Sequence, residues 1–316
     1  MQKKTWIAAA ALGAMLVTGQ AWAADKKVVA VSIPAADHGW TAGVVYHAQA
    51  AAKELNAAFP DIDVVVKTSP SASAQVSALE DLSASRKLDA LVILPYTSEE
   101  LTAPVKAVKD AGTFITVVDR GLNDPSIQDL YVAGDNIAVG RNTAKFLVEK
   151  LGGKGNLVVL RGIPTVIDDE RIEGFQDGIK GSDLKILDIQ YANWNSDDAF
   201  KLMQDYLAKY PQIDAVWAND DDMLLGVLEA IKQSGRTDIK FALGGNGMKE
   251  IIKKVIDGDA MTPVETPYPP SMIKTAVYLT VAHLVGHAPA RGTVKLDAPL
   301  ITKENAQEYY FPDSPF

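Results

Sequence analysis

The chain has 316 residues, 47% of them hydrophobic and 22% charged, with a formal net charge of −9 and no cysteine. That length is about two ordinary domains' worth of protein, and the composition excludes a disordered or collagen-like chain. Without cysteine there are no disulfides, thiol nucleophiles, cysteine-ligated zinc sites or iron–sulfur clusters, and an acidic balance disfavours general nucleic-acid binding.

The first 23 residues read as a secretory signal. Lys3 and Lys4 supply a positive start, Trp6 to Gly19 an uncharged apolar stretch, and Ala21-Trp22-Ala23 a small-x-small cleavage pattern. The stretch is short for a bilayer span, which takes roughly 20 apolar residues. Cleavage after Ala23 takes 23 residues from 316 and two lysines from the balance of −9, leaving 293 residues at −11. No later apolar run is long enough to cross a membrane, so the expected product is a freely diffusing periplasmic protein.

Two sets of strands then alternate with helical patterns. The first comprises Val28–Ile33, Ile62–Val66, Ala90–Leu94 and Phe114–Val118. The second comprises Leu157–Leu160, Lys185–Ile189, Ala215–Ala218 and Ile239–Leu243. Their continuous apolar runs suit strands buried on both faces of a parallel sheet. Between them, Ala144, Leu147, Val148 and Leu151, like Leu224, Val227, Leu228 and Ile231, form stripes at helical spacing. Gly112, Gly152-Gly153 and Gly235 fall where helices stop. The expected fold class is α/β, with two doubly wound, Rossmann-like lobes of parallel sheet.

In such sheets ligands bind beyond the carboxyl ends of the strands. Those positions hold Asp37, His38 and Trp40, then Asp119 and Arg120, then Asp168 to Arg171, Trp194, Asn219 to Asp222, and Asn246. Carboxylates accept hydroxyl hydrogens, guanidiniums donate in a fixed fork and indoles cover the C–H face of a sugar ring, so the set suits a neutral polyhydroxyl ligand. Arg120 and Arg171 are expected to be balanced by Asp119 and Asp220, while Asp37 leans towards an amine. Plainer readings exist beside these. Asp119-Arg120 reads also as a surface ion pair, Trp40 and Trp194 as core, and Asp220-Asp221-Asp222 as acids opening a helix.

Catalytic signatures are missing. His283 and His287 have i, i+4 spacing, but Leu284 stands where a His-Glu-x-x-His motif needs glutamate. Gly152-Gly153-Lys154-Gly155 ends a helix rather than cradling phosphate. The chain is expected to be neither an enzyme nor dependent on a cofactor or metal. The first strand begins too soon after the cleavage site to leave room for a DNA-reading domain.

Thr116-Val117-Val118-Asp119-Arg120, Glu170 to Phe175, Ala215 to Met223 and Leu243-Gly244-Gly245-Asn246-Gly247 stand in order along the chain. With these segments it resembles, from about Val28 to Asp297, the periplasmic sugar-binding proteins of the ribose-binding type that serve ABC importers. The resemblance implies a clamshell joined by three crossovers. Its lobes would be residues 24–134 with 267–296, and 135–266 with 297–316. It implies ligand contacts by Trp40 and His38, Asp119 and Arg120, Arg171 and Trp194. Asp220, Asn246 and Thr266 fall where ribose binders usually have Asn, Asp and Gln, so a pentose, hexose or sugar alcohol stays open. It also implies a monomer that delivers ligand to a membrane permease, with a sensing role at a chemoreceptor or sensor kinase as the alternative.

Overall fold

The computed structural model describes residues 26–286 and 290–316. The expected signal and its cleavage site, and His287, lie outside them. Strands β1 (Lys27–Pro34), β2 (Ile62–Ser69), β3 (Ala90–Ile93), β4 (Phe114–Val118) and β5 (Leu130–Gly134) alternate with helices α1 (Gly39–Ala58), α2 (Ala72–Ser85) and α3 (Ser98–Asp110). The second lobe continues through α4 (Asn136–Lys150), β6 (Lys154–Arg161), α5 (Val166–Ile179), β7 (Asp183–Tyr191) and α6 (Ser196–Lys209). It is completed by β8 (Ala215–Ala218), α7 (Asp221–Ser234), β9 (Phe241–Leu243) and α8 (Lys249–Asp257). Helix α9 (Met272–Val285) and β10 (Gly292–Leu296) return to the first lobe.

Both sheets are parallel, in the orders β10-β5-β4-β3-β1-β2 and β7-β6-β8-β9. Each winds outward in both directions from its first strand, so a crevice opens where the order reverses, beside β1 in one lobe and β6 in the other. The eight expected strands are present. β5 and β10 are additions that the cadence misses. β5 is a five-residue strand ending in glycine, and β10 lies at the sheet edge with mostly exposed side chains, so neither shows a long buried run.

The core follows from apolar strands covered on two faces. Ala30, Leu91, Ile93, Ile115 and Val117 pack under α2 and α3, while Val29, Val31, Val92 and Val118 join the cluster that includes α1 and α9. The predicted helix stops at Gly112, Gly152, Gly153 and Gly235 all have positive φ, a region where glycine carries no Cβ penalty.

The two lobes meet at three crossing segments tied to one another. Asp135 N donates to Leu296 O at 2.9 Å, and Glu265 and Ile301 exchange backbone bonds of 3.0 and 2.7 Å. The carboxyl ends of both sheets consequently face one cleft.

Candidate functional site

A cavity of about 260 Å³ lies in that cleft, lined by His38, Trp40, Asp119, Arg120, Ile167, Arg171, Trp194, Asp220, Asn246 and Tyr268. Eight of the ten sequence-expected residues therefore come together, from both lobes.

Arg171 is the centre of the second-lobe wall and only 2% exposed. It reaches the cavity because α4 and α5 pack in near contact. A Cβ on Gly140 would stand 2.0 Å from Arg171 O, and one on Gly174 would stand 2.1 Å from Ile137 O. This approach lets Arg171 Nε donate to Asn136 Oδ1 at 3.0 Å, while its other nitrogens donate to Asn219 O at 2.5 Å and Asn246 Oδ1 at 3.2 Å. The guanidinium lies 4.5 Å from the Tyr268 ring and 5.4 Å from the Trp194 ring. Planar, delocalised and always charged, it tolerates this burial better than a lysine would.

Asp168 organises the same wall without lining the cavity. Its carboxylate accepts from Gly162 N at 2.9 Å, Asn219 Nδ2 at 2.8 Å and Arg161 Nε at 2.7 Å, so it ties the ends of β6 and β8 together. Trp194 then folds over Gly162, where a Cβ would fall 1.9 Å from its ring. Asn193 and Trp194 both adopt positive φ, 59° and 55°, to make that turn. Such backbone strain in non-glycine residues persists only where surroundings enforce it.

The first lobe contributes Asp119 and Arg120, 1% and 5% exposed, which excludes the surface ion-pair reading. Their nearest charged atoms are 3.8 Å apart. Asp119 has φ 61°, and this left-handed residue directs its side chain to Tyr268, whose hydroxyl donates to Oδ1 at 2.6 Å. Burial raises the Asp119 carboxyl above its usual range, against the opposing pull of Arg120 and Tyr268. Arg120 donates to Tyr96 O at 3.0 Å, but its buried Nε meets no acceptor among the described residues.

His38 caps α1 in an extended conformation. Its Nδ1 lies 2.6 Å from Asp37 Oδ1, a contact that anchors the ring at the α1 entry. Trp40 is 4% exposed and donates Nε1 to Tyr268 O at 2.8 Å. Both tryptophans are thus buried and cavity-lining at once.

Several expectations are corrected. Asp37 does not line the cavity. Burial raises its carboxyl, but bonds from His38 and Thr41 outweigh that and pull it down to about 2, so it serves to hold the α1 entry. Thr266 is not among the residues lining the cavity; it is 1% exposed, its carbonyl accepts from Asn246 N at 2.9 Å, and its buried Oγ1 has no partner among the described residues. Arg171 is held by amides and a carbonyl rather than by Asp220. Asp220 caps α7 by accepting from Met223 N at 2.8 Å, and burial together with the nearby Asp222 charge raises it to about 7. Asp221 does more than open α7. Its carboxylate gathers Gly245 N, Gly247 N and Met248 N at 3.1, 3.0 and 2.7 Å, which fixes the loop carrying Asn246. His283 is half-buried and stacks 3.7 Å from Phe114.

Ile167 and Tyr268 line the cavity and Asn136 holds Arg171, and none of the three is among the ten expected contacts. Tyr268 follows Glu265-Thr266-Pro267, a crossing segment without strand or helix periodicity. Its signal is an aromatic placed between prolines just before a helix. Ligand atoms of His38, Asp220 and Asp222 come within 4.8 Å of one another, a spacing a cation could use, but His38 is paired with Asp37, Asp220 caps α7 and Asp222 accepts from the α1 entry.

Residues 29–288 match the periplasmic binding protein domain. The chain is 31% identical over 241 residues to the xylitol-binding protein of Mycolicibacterium smegmatis, covering 74% of this chain and 66% of that protein. It is 32% identical over 195 residues to the ribose import binding protein RbsB of Bacillus subtilis, covering 61% and 62%. It therefore spans just under two thirds of the length of these relatives. With the D-apiose import binding protein of Paraburkholderia graminis it shares 27% identity, over 84% of this chain and 83% of the other. Among solved structures, a galactofuranose binding protein superposes with TM-score 0.82 at 23% identity, covering 92% of this chain and 100% of that one. The Caulobacter myo-inositol binding protein superposes with TM-score 0.80 at 25% identity, covering 89% and 95%. The two parallel lobes, the cleft between them and the match along most of the chain agree: the chain belongs to the periplasmic binding protein family.

Proposed function

We propose that the chain is a periplasmic solute-binding protein that captures a monosaccharide or sugar alcohol between its lobes and delivers it to an ABC-transporter permease. The lobes are residues 24–134 with 267–296, and 135–266 with 297–316, and the signal is removed after Ala23. One observation carries the reading. The cavity takes two guanidiniums, two carboxylates, an amide and two indoles from both lobes, and the buried Arg120 Nε within it has no acceptor among the described residues.

That inventory favours a hydroxyl-rich, uncharged ligand. Each hydroxyl donates and accepts, so it can satisfy Arg120 Nε and a carboxylate oxygen together. The two guanidiniums already share the space with two carboxyl groups, which disfavours a further anion such as a phosphate or carboxylate. Closure buries charge-assisted bonds, so an analogue lacking one hydroxyl would strand a charged partner. Ligand then acts by favouring the closed state. The cavity's groups serve binding, with no paired acid and base set to cleave a bond, and the protein works as a monomer.

A thermal-shift screen tests the reading. Folded protein, freed of carried-over ligand by unfolding and refolding, is melted with D-ribose, D-allose, D-apiose, L-arabinose, xylitol and myo-inositol. A binder at 100 times its Kd adds about 2.7 kcal/mol of stability. At least one compound should raise Tm, and silence across the set would contradict the proposal.

A further inference from the structure

The N-terminus of α1, in the first lobe, is capped from the second. Asp222, in the first turn of α7, accepts from Gly39 N at 3.1 Å and from Trp40 N at 3.4 Å. Gly39 and Trp40 are the first two residues of α1, whose backbone N–H groups have no partner inside the helix. Helix α1 has no acidic residue of its own in its first turn. Asp222 therefore supplies both the missing acceptor and the negative charge that a helix N-terminus favours. The fit is tight, since a Cβ on Gly39 would stand 2.9 Å from Asp222 Oδ1.

The structure assigns to Asp222 the role of a positioning residue for ligand capture: it latches the second lobe to the α1 entry and so seats Trp40 over the cavity. Asp222 does not line the cavity. It acts through Trp40 and through the balance between open and closed lobes. Opening the lobes breaks both bonds and returns the two N–H groups and the carboxylate to water. The latch thus raises affinity for any ligand held in the closed state, mainly by slowing its release. This inference rests on the proposed capture of a sugar between the lobes.

The absence of native cysteine makes the test clean. Exposed Ser73 and Asp197, one in each lobe, are changed to cysteine and labelled with a donor–acceptor dye pair. Interlobe distance is recorded without ligand and with the best binder of the sugar set. Asp222→Ala is expected to lengthen the mean interlobe distance. It should also raise Kd by about 2- to 30-fold, the range expected on losing a cap, with the change in the dissociation rate and the association rate unaltered. Asp222→Asn, which keeps one of the two accepting oxygens and loses the charge, should recover only part of the effect. Gly39→Ala, which adds a Cβ against the latch in a good helix former, should shift the distance the same way without lowering Tm. Unchanged distances and dissociation in Asp222→Ala and Gly39→Ala would overturn the latch. If the parent protein binds none of the sugars, the proposed function fails, and the ligand-free distances alone then decide the latch.

Discussion

The phenolic hydroxyl of Tyr268 donates to Oδ1 of Asp119 at 2.6 Å, and this bond joins the crossing segment to the first-lobe wall of the cavity. Around it, Tyr268 O accepts from Trp40 Nε1, Tyr268 N donates to Asn246 O, and the ring lies against the Arg171 guanidinium. One aromatic on a hinge segment therefore touches four residues that line the cavity.

Tyr268→Phe removes the donor while keeping the ring. Asp119 is then buried with one partner fewer, a loss worth about 1–3 kcal/mol. Urea unfolding should show a fall of that size, and sugar affinity should drop because the Asp119 carboxyl is pushed further towards its neutral form. Unaltered stability and affinity would show that the bond does not hold the carboxylate in place.

Gly162 has no room for a side chain. A Cβ there would overlap the Trp194 ring, at 1.9 Å from Cε2. Gly162→Ala should swing Trp194 off the β6 end and weaken sugar binding more than about tenfold, a change of about 1.4 kcal/mol. Trp194 fluorescence should shift with it. Binding at the parent affinity would place the stacking surface elsewhere.

Legibility differed sharply between segments. The run Phe114 to Val118 announced a buried strand, and the polar pair that follows it announced an end facing the cleft, because a parallel strand must be apolar until it leaves the sheet. Arg171, Trp194, Asp220 and Asn246 were readable in the same way. Tyr268 was not, since its position depends on which crossing segment packs under Gly134, where a Cβ would meet its ring at 2.3 Å. An extended crossing segment alternates its side chains, and local sequence does not say which of them faces the cleft. The latch between Asp222 and α1 was equally hidden, because an acid opening its own helix looks no different from one that caps another.

Stability should depend on pH through a buried carboxyl pair at the hinge. Burial raises Asp221 to about 7, and burial with the neighbouring Asp221 charge raises Glu265 well above the carboxylate range. Glu265 Oε2 is buried without a partner, which a proton on that oxygen would mend by donating to Asp221. The folded chain thus holds more protons than the unfolded one between the ordinary carboxylate range and about 7. Stability is fully present below that window and falls as pH rises through it. Tm should decline from pH 5 to pH 7.5, and Glu265→Gln, whose amide donates at every pH, should flatten the slope. A Tm that rises over this interval would contradict the shared proton.

Arg171→Lys keeps the charge but loses the fork that binds Asn136, Asn219 and Asn246 together. Sugar binding should fall at least about 100-fold, the loss of close to 3 kcal/mol expected when a charged bond to the ligand goes. Circular dichroism should stay that of an α/β protein. Affinity within a few-fold of the parent would remove Arg171 from the site.

The most direct measurement is calorimetric titration of the ligand-free chain with the sugar that raises Tm most, beside Arg171→Lys and Asp119→Asn. The account predicts one saturable site per chain in the parent protein and no measurable heat in either variant at the same concentrations. Equal binding in all three proteins, or no binding by a folded parent to any sugar or polyol of the set, would contradict a polyol site between the lobes.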